Sequence, residues 1–304
     1  MKIRGKTIFL LSTLIALISI SACSPKHIAT GVVADIGSSG MISMESETSV
    51  EFARSASPAL IKTLEVLRYG NKKNSTALTL LSKAYGQYAF GFIENDMLSA
   101  KNGSPEKKSL LSDAELFYRR GKEYGIAALI KNKSMKKAFK SHVSLFEKEV
   151  KKMGKNDVDA LFWTSFNWAN WLNLNIDDPS AIVDLPRIEA MVRRVIELNE
   201  NFYFGSAHAI LGTIAASRPE MLGGEPELAK SEFIRAMEIS PSNLMTKVMY
   251  ATYYARRIQD KKLFEDTLND VIFSDVKPQD GQQLSNALAK IRAKRLLEMK
   301  EEVF

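Results

Sequence analysis

Residues 205–241 read Gly205-Ser-Ala-His-Ala-Ile-Leu-Gly-Thr-Ile-Ala-Ala-Ser-Arg-Pro-Glu-Met-Leu-Gly-Gly-Glu-Pro-Glu-Leu-Ala-Lys-Ser-Glu-Phe-Ile-Arg-Ala-Met-Glu-Ile-Ser-Pro241, and the spacing inside this stretch decides the fold. Leu211-Gly212 sits in a first apolar helix. After the turn at Gly223-Gly224-Glu225-Pro226, Ala229, Phe233 and Ala236 recur at helical spacing, and Pro241 stops the second helix. Small residues let two antiparallel helices approach closely, and the aromatic ring fills the space between them. Leu211-Gly212 is therefore expected to pack against Ala229, Phe233 and Ala236.

The spacing Ala-x3-Phe-x2-Ala-x4-Pro resembles the second half of a tetratricopeptide (TPR) repeat, and Leu211-Gly212 resembles part of its first half. Ile188, Val192, Val195 and Ile196, followed by Glu200, echo it more weakly, as do Ala114, Tyr118 and Gly121. Residues 218–224 are an insertion relative to an ordinary repeat. An irregular helical bundle with one coincidental match is the alternative, but repeat arrays are the common way to stack such pairs. Outward from this pair, Leu78, Leu81, Tyr85, Tyr88 and Phe92 form a helical stripe, and Phe139, Val143, Phe146 and Val150 form another. No run of alternating β-branched residues argues for strands. The chain is read as all-α, a TPR-like array of helical hairpins over residues 57–304, helical from about Pro58.

The amino terminus is of another kind. Lys2, Arg4 and Lys6 precede an apolar run from Ile8 to Ile18, which is too short to span a bilayer but suits a signal peptide. It ends at Ser21-Ala22-Cys23, which resembles a bacterial lipobox. Residues 1–22 are thus expected to be removed and Cys23, the chain's single cysteine, to carry the lipid. Several acyl chains at about 0.8 kcal/mol per buried CH₂ give stable anchoring where one alone would be marginal. Ser24 is not the aspartate that marks inner-membrane retention, so the expected location is the outer membrane, facing the periplasm. Residues 23–56, with Gly37-Ser38-Ser39-Gly40 and a Ser/Thr/Glu-rich stretch, read as anchor and tether. The 304 residues are 45% hydrophobic and 25% charged, ordinary globular values, and three of the formal +7 charges belong to the leader. So mild an excess does not point to nucleic acid. In the carboxy-terminal helix, Lys290, Arg292, Lys294 and Arg295 read as a solvated basic face rather than a lipid-binding one.

Catalytic and metal-binding signatures are missing. His27, His142 and His208 have no partner at metal-ligand spacing, and there is no HExxH, Walker loop, GxGxxG or GxSxG motif. No catalytic residue, metal or cofactor is assigned. The unusual segment is Ala160 to Ile176, which lacks charge and holds all three tryptophans. Such a helix must be covered on both sides. It is either a central core helix, or a helix with one side in the core and the other lining a cavity. On the second reading Trp163, Phe166, Asn167 and Asn170, which share one side, are the ligand-binding candidates, with His208 behind them. A buried amide needs partners, and a ligand supplies them.

In their order along the chain, these features resemble the T component of tripartite ATP-independent periplasmic (TRAP) transporters, the TatT lipoproteins. The resemblance rests on the lipobox, the Val33-Ala34-Asp35-Ile36-Gly37-Ser38-Ser39-Gly40 arm, Ala59-Leu60-Ile61-Lys62-Thr63-Leu64-Glu65, Tyr88-Ala89-Phe90-Gly91-Phe92 and the tryptophan-rich helix. It continues through Ala207-His208-Ala209-Ile210-Leu211-Gly212, Leu222-Gly223-Gly224, Tyr250-Ala251-Thr252-Tyr253-Tyr254 and Ala287 to Leu297. It implies a TPR-like fold, often trimeric, with an apolar channel through each subunit. It also implies partnership with the solute-binding P component and a role in moving a small, apolar organic ligand such as a hydrophobic acid. A TPR scaffold for envelope protein assembly and an enzyme with an unrecognised site are the competing readings.

Overall fold

The computed structural model describes residues 37–70, 74–176, 178–218, 221 and 223–304. The expected signal peptide over residues 1–22, Cys23, His27 and residues 33–36 lie outside the described residues. The fold is all-α, with no strand among the described residues.

Two helices begin before the expected start at Pro58. Residues 37–45 form α1, and α2 runs Val50–Gly70 with Pro58 inside it. The Glu47 carboxylate accepts from the Thr48 and Ser49 amides, and Ser49 Oγ accepts from the Phe52 amide, so donors at the start of α2 are capped. Pro58 sits on the exposed side of α2, while Ala53, Ser57, Ile61 and Leu64 are buried on the other. The Ser/Thr/Glu-rich composition that suggests a tether thus includes a capping turn and two packed helices.

The chain continues as α3 (Ser75–Tyr88), a π-helical segment Ala89–Ile93 and α4 (Glu94–Ser99). Next come α5 (Pro105–Leu129), the short pair α6 (Lys133–Ala138) and α7 (Val143–Val150), and the tryptophan-rich α8 (Val158–Leu174). After α9 (Pro179–Ile182) and α10 (Leu185–Asn199), a 3₁₀ turn Phe202–Gly205 leads into α11 (Ser206–Ala216) and α12 (Pro226–Ile239). Helix α13 (Leu244–Met249) passes through a second π-helical segment, Tyr250–Ala255. The chain ends with α14 (Lys261–Phe273), α15 (Gln283–Glu298) and α16 (Lys300–Val303).

Packing follows small residues. Helix α5 is held against α3 and α8, and α8 against α10. A Cβ on Gly121 of α5 would lie 2.1 Å from Asn167 Oδ1 of α8, and one on Gly125 would lie 2.2 Å from Thr164 Oγ1. In the α11–α12 pair, a Cβ on Gly212 would lie 2.8 Å from the Phe233 ring, and Ala229, Phe233 and Ala236 are fully buried. His208 meets Glu232, and the Ala215 carbonyl accepts from the Glu225 amide, so α11 and α12 run antiparallel. Leu211, expected on this face, packs instead into the cluster around α8 and α10.

The carboxy-terminal α15 returns to α2 and α4. Arg292 is buried there: its Nε donates to Asn95 Oδ1 at 3.0 Å, its Nη2 donates to the Phe90 carbonyl, and Glu94 Oε2 lies 3.4 Å away. Arg295 bonds the Asn95 carbonyl and Lys290 the Ser274 carbonyl. Only Lys294 of the four expected solvated cations is exposed. The others satisfy carbonyls that helix ends and the π-helical segment leave open.

Candidate functional site

Where the first and last helices meet the middle of the chain they leave a cavity of about 1120 Å³, measured out to its open mouth. Met41 and Met44 of α1, Leu60 and Ile61 of α2, and Tyr88 and Phe90 of the first π-helical region form one side. Phe162, Trp163 and Phe166 of α8 face them with Tyr203 and Phe204 of the 3₁₀ turn, and Met245, Met249 and Leu288 complete the wall. Phe166 sits edge-on to Phe90 at 5.6 Å, and Trp163 edge-on to Tyr203 at 4.9 Å. Methionine adapts its shape and aromatic rings supply broad apolar contact, a combination suited to an apolar guest.

A second, smaller cavity, about 540 Å³ when measured out to its open mouth, lies behind α8, between it and α9–α11. Phe166, Ile210 and Met249 line both spaces. These three side chains form a septum between two apolar chambers.

Two polar groups interrupt the apolar wall: Asn243, Thr246, Gln282 and Ser285 on one side, with the buried Asn243 Oδ1 left without a partner, and a cluster around Glu45 on the other. Tyr203 Oη donates to Glu45 Oε1 at 2.8 Å, and Gln87 Nε2 lies 2.6 Å from the same oxygen and 2.7 Å from Tyr203 Oη. Lys83 Nζ is 2.9 Å from the Glu45 carboxylate and lies over the Trp163 and Tyr203 rings, 5.5 and 5.4 Å from their centroids. Burial, reinforced by Glu45, pushes the Tyr203 hydroxyl well above the usual phenol range. Tyr203 and Phe204 both adopt left-handed backbone, with φ of 46° and 61°, and Gly205 continues it at 72°. Two consecutive bulky residues in this region are strained, and such strain clusters at ligand clamps and switch regions. Here the turn brings both rings to the cavity wall.

The expected site residues divide. Trp163 and Phe166 line the main cavity, and Phe166 also lines the second. Asn170 lines the second chamber, its Nδ2 donating to the Phe166 carbonyl at 2.9 Å. Asn167 faces neither: it is fully buried against α3 and α5, its Nδ2 donating to the Trp163 and Ser82 carbonyls at 2.7 and 2.9 Å. His208 also lies outside both linings, held between Glu232 Oε2 at 2.6 Å and Glu200 Oε1 at 3.2 Å. Trp168 and Trp171 point to the other side of α8, where the Lys122 ammonium lies 5.1 and 4.4 Å from their rings. So α8 serves the core and the cavity together. Glu45, Gln87, Tyr203 and Phe204 are not distinguished by residue type or spacing. The one available signal is Phe202-Tyr203-Phe204-Gly205, three aromatics ending on a glycine.

Among the described residues no group of three or more His, Cys, Asp or Glu side chains could hold a metal, and no helix is long and apolar enough to cross a membrane. No curated protein shows significant similarity to the chain. The family model for the TRAP transporter T-component matches residues 46–304, from the end of α1 through α16. The match spans both chambers and nearly all of their walls, and the chain therefore belongs to the TRAP transporter T-component family.

Proposed function

We propose that this T component receives a small apolar organic ligand in the main cavity and exchanges it with the solute-binding P component of a TRAP system. The observation that carries this reading is the pair of largely apolar cavities that share Phe166, Ile210 and Met249 in their walls. Displacing those three side chains would join the chambers into a passage, in keeping with the channel expected from the family. The Glu45–Gln87–Tyr203–Lys83 group is internally satisfied, so most of the surface left for a guest is ring and methionine. A carboxylate guest would meet Glu45, although Lys83 offsets that charge. An alcohol or amide head is a better fit to a wall of this kind than the hydrophobic acid expected from the resemblance. Trp163 and Phe166 are the primary contacts, and Asn170 serves the second chamber.

The same reading keeps Cys23 as the lipidation site after removal of residues 1–22, with the body on the periplasmic side of the outer membrane. It also keeps the homotrimer as the assembly to be tested. An envelope scaffold has a poorer claim, because it gives no purpose to two adjoining apolar cavities.

The test is tryptophan fluorescence of the mature chain titrated with medium-chain alcohols, amides and fatty acids, alone and with the P component of a TRAP system from the same organism. Trp163→Phe separates the cavity signal from that of Trp168 and Trp171. Saturable quenching that Trp163→Phe removes, with the helical circular dichroism unchanged, supports the cavity. A chain that no guest perturbs and that captures no P component would sink the proposal. Mass spectrometry of the membrane form reads the lipid on Cys23, and sedimentation equilibrium reads the trimer.

A further inference from the structure

The helices α6 and α7, with the turns that flank them, hold nine lysines within residues 131–155 against only Glu147 and Glu149. Elsewhere many lysines have a carboxylate partner, as in Lys83–Glu45, Lys247–Asp270, Lys261–Glu301 and Lys300–Glu265. Here Lys152 pairs with Glu149 and Lys131 bonds Ser75 Oγ. Lys133, Lys136, Lys137 and Lys140 on one arm, and Lys148, Lys151 and Lys155 on the other, are exposed and have no carboxylate within ion-pair distance among the described residues. Several stand three or four residues apart, where like charges on a helix repel. The pair α6–α7 is an excursion between α5 and α8, which pack directly on each other. Met135, Ala138, Phe146 and Val150 face inward on the core, so the cations are the outer surface.

We propose that this hairpin is a membrane-facing surface, and that its unpaired lysines rest on anionic phospholipid headgroups of the envelope. The residue types select the partner. Protein interfaces are anchored by Trp, Tyr and Arg and are depleted in Lys. Residues 131–155 contain no Arg, Trp or Tyr, and none of their large apolar side chains is exposed. An ammonium on a flexible stem is a point charge without the directional fork of a guanidinium, which suits a fluid headgroup layer rather than a fixed acidic protein patch. The proposal rests on the envelope location of the family and does not require the lipid on Cys23. It would fix which way the hairpin, and hence the cavity mouth, faces relative to the bilayer.

The test uses the full mature chain mixed with vesicles of equal parts phosphatidylglycerol and phosphatidylcholine, and with vesicles of phosphatidylcholine alone. Amine-reactive labelling is read lysine by lysine by mass spectrometry. On anionic vesicles the seven lysines should label about fivefold more slowly or less, relative to exposed Lys230, Lys277 and Lys294, and high salt should erase the difference. The variant K136Q/K137Q/K148Q/K151Q changes exposed, unpaired side chains and should keep its circular dichroism while the remaining lysines lose protection. Equal labelling on both vesicle types overturns the proposal. Protection that appears in native envelopes but not on anionic vesicles also overturns it, in favour of an acidic protein.

Discussion

Asn167 shows what a side chain's type leaves undecided. A polar residue in a charge-free helix suggests a ligand contact, yet its amide meets the glycine surfaces of Gly86 and Gly121 and the Ser82 carbonyl. The small-aromatic-small spacing at Ala114, Tyr118 and Gly121 is visible in the sequence. That Gly121 receives an asparagine from a helix 46 positions away is not, because register between distant helices has no local signature. Gly121→Ala should force α5 and α8 apart and destabilise the fold by about 1–3 kcal/mol. The double variant G121A/N167A should be less destabilised than the two single changes add up to, by about 1 kcal/mol, read by urea denaturation. Strict additivity would show that the two do not share the contact. Phe166 is legible as one side of a charge-free aromatic helix, and it does line the main cavity; its place in the septum depends on Ile210 and Met249. Phe166→Ala should lower stability by about 3 kcal/mol and let the two chambers merge. The merged space should accept longer guests, seen as a shift in the chain length that quenches Trp163 best. An unchanged length preference would mean that Ile210 and Met249 close the septum alone.

At the scale of the element, the helices with a full apolar stripe are readable from sequence and α1 is not. Its nine residues offer Met41 and Met44 as apolar contacts, too few for a periodic signal, and so short a helix owes its stability to what it packs on. Met41 is buried with Ile61, Leu64, Leu80 and Leu81, and Glu45 ties the end of the helix to Lys83, Gln87 and Tyr203. Since Met41, Met44 and Glu45 line the main cavity, α1 forms part of its wall. Glu45→Ala should detach α1 while leaving the body folded. Hydrogen exchange of the amides in residues 37–47 should rise by tenfold or more, about 1.4 kcal/mol or more of local stability, with α8 and α10 unaffected. Uniformly faster exchange over the whole chain would mean that α1 belongs to the cooperative core. The α11–α12 pair is the opposite case. Its spacing alone places Gly212 on Phe233, and only the facing of Leu211 differs from what that spacing predicts.

For the whole molecule, closure depends on a residue that looks ordinary in the sequence. Arg292 stands among Lys290, Lys294 and Arg295, and nothing in that run marks it as the one that joins the two ends of the fold. In three dimensions it lies against the Phe90 ring at 4.3 Å, bonds the Phe90 carbonyl and Asn95, and faces Glu94, to which Tyr118 also donates. Burial raises the Glu94 carboxyl above its ordinary range, and Arg292 and Tyr118 act against that rise. Contacts between residues about 200 positions apart thus hold α15 to the helices that wall the cavity. Removing one partner of a buried pair strands the other, so Arg292→Ala should cost about 3–5 kcal/mol. The loss should appear as a lower midpoint in urea at an unchanged slope, since both ends belong to one cooperative unit. A neutral replacement of both partners, R292M/E94Q, should recover more than half of that loss, because no charge is then left buried alone. If R292A instead unfolded in two separate transitions, with the α11–α12 region outlasting the helices around Glu94, the ends would be independent and the cavity would not be sealed by this contact.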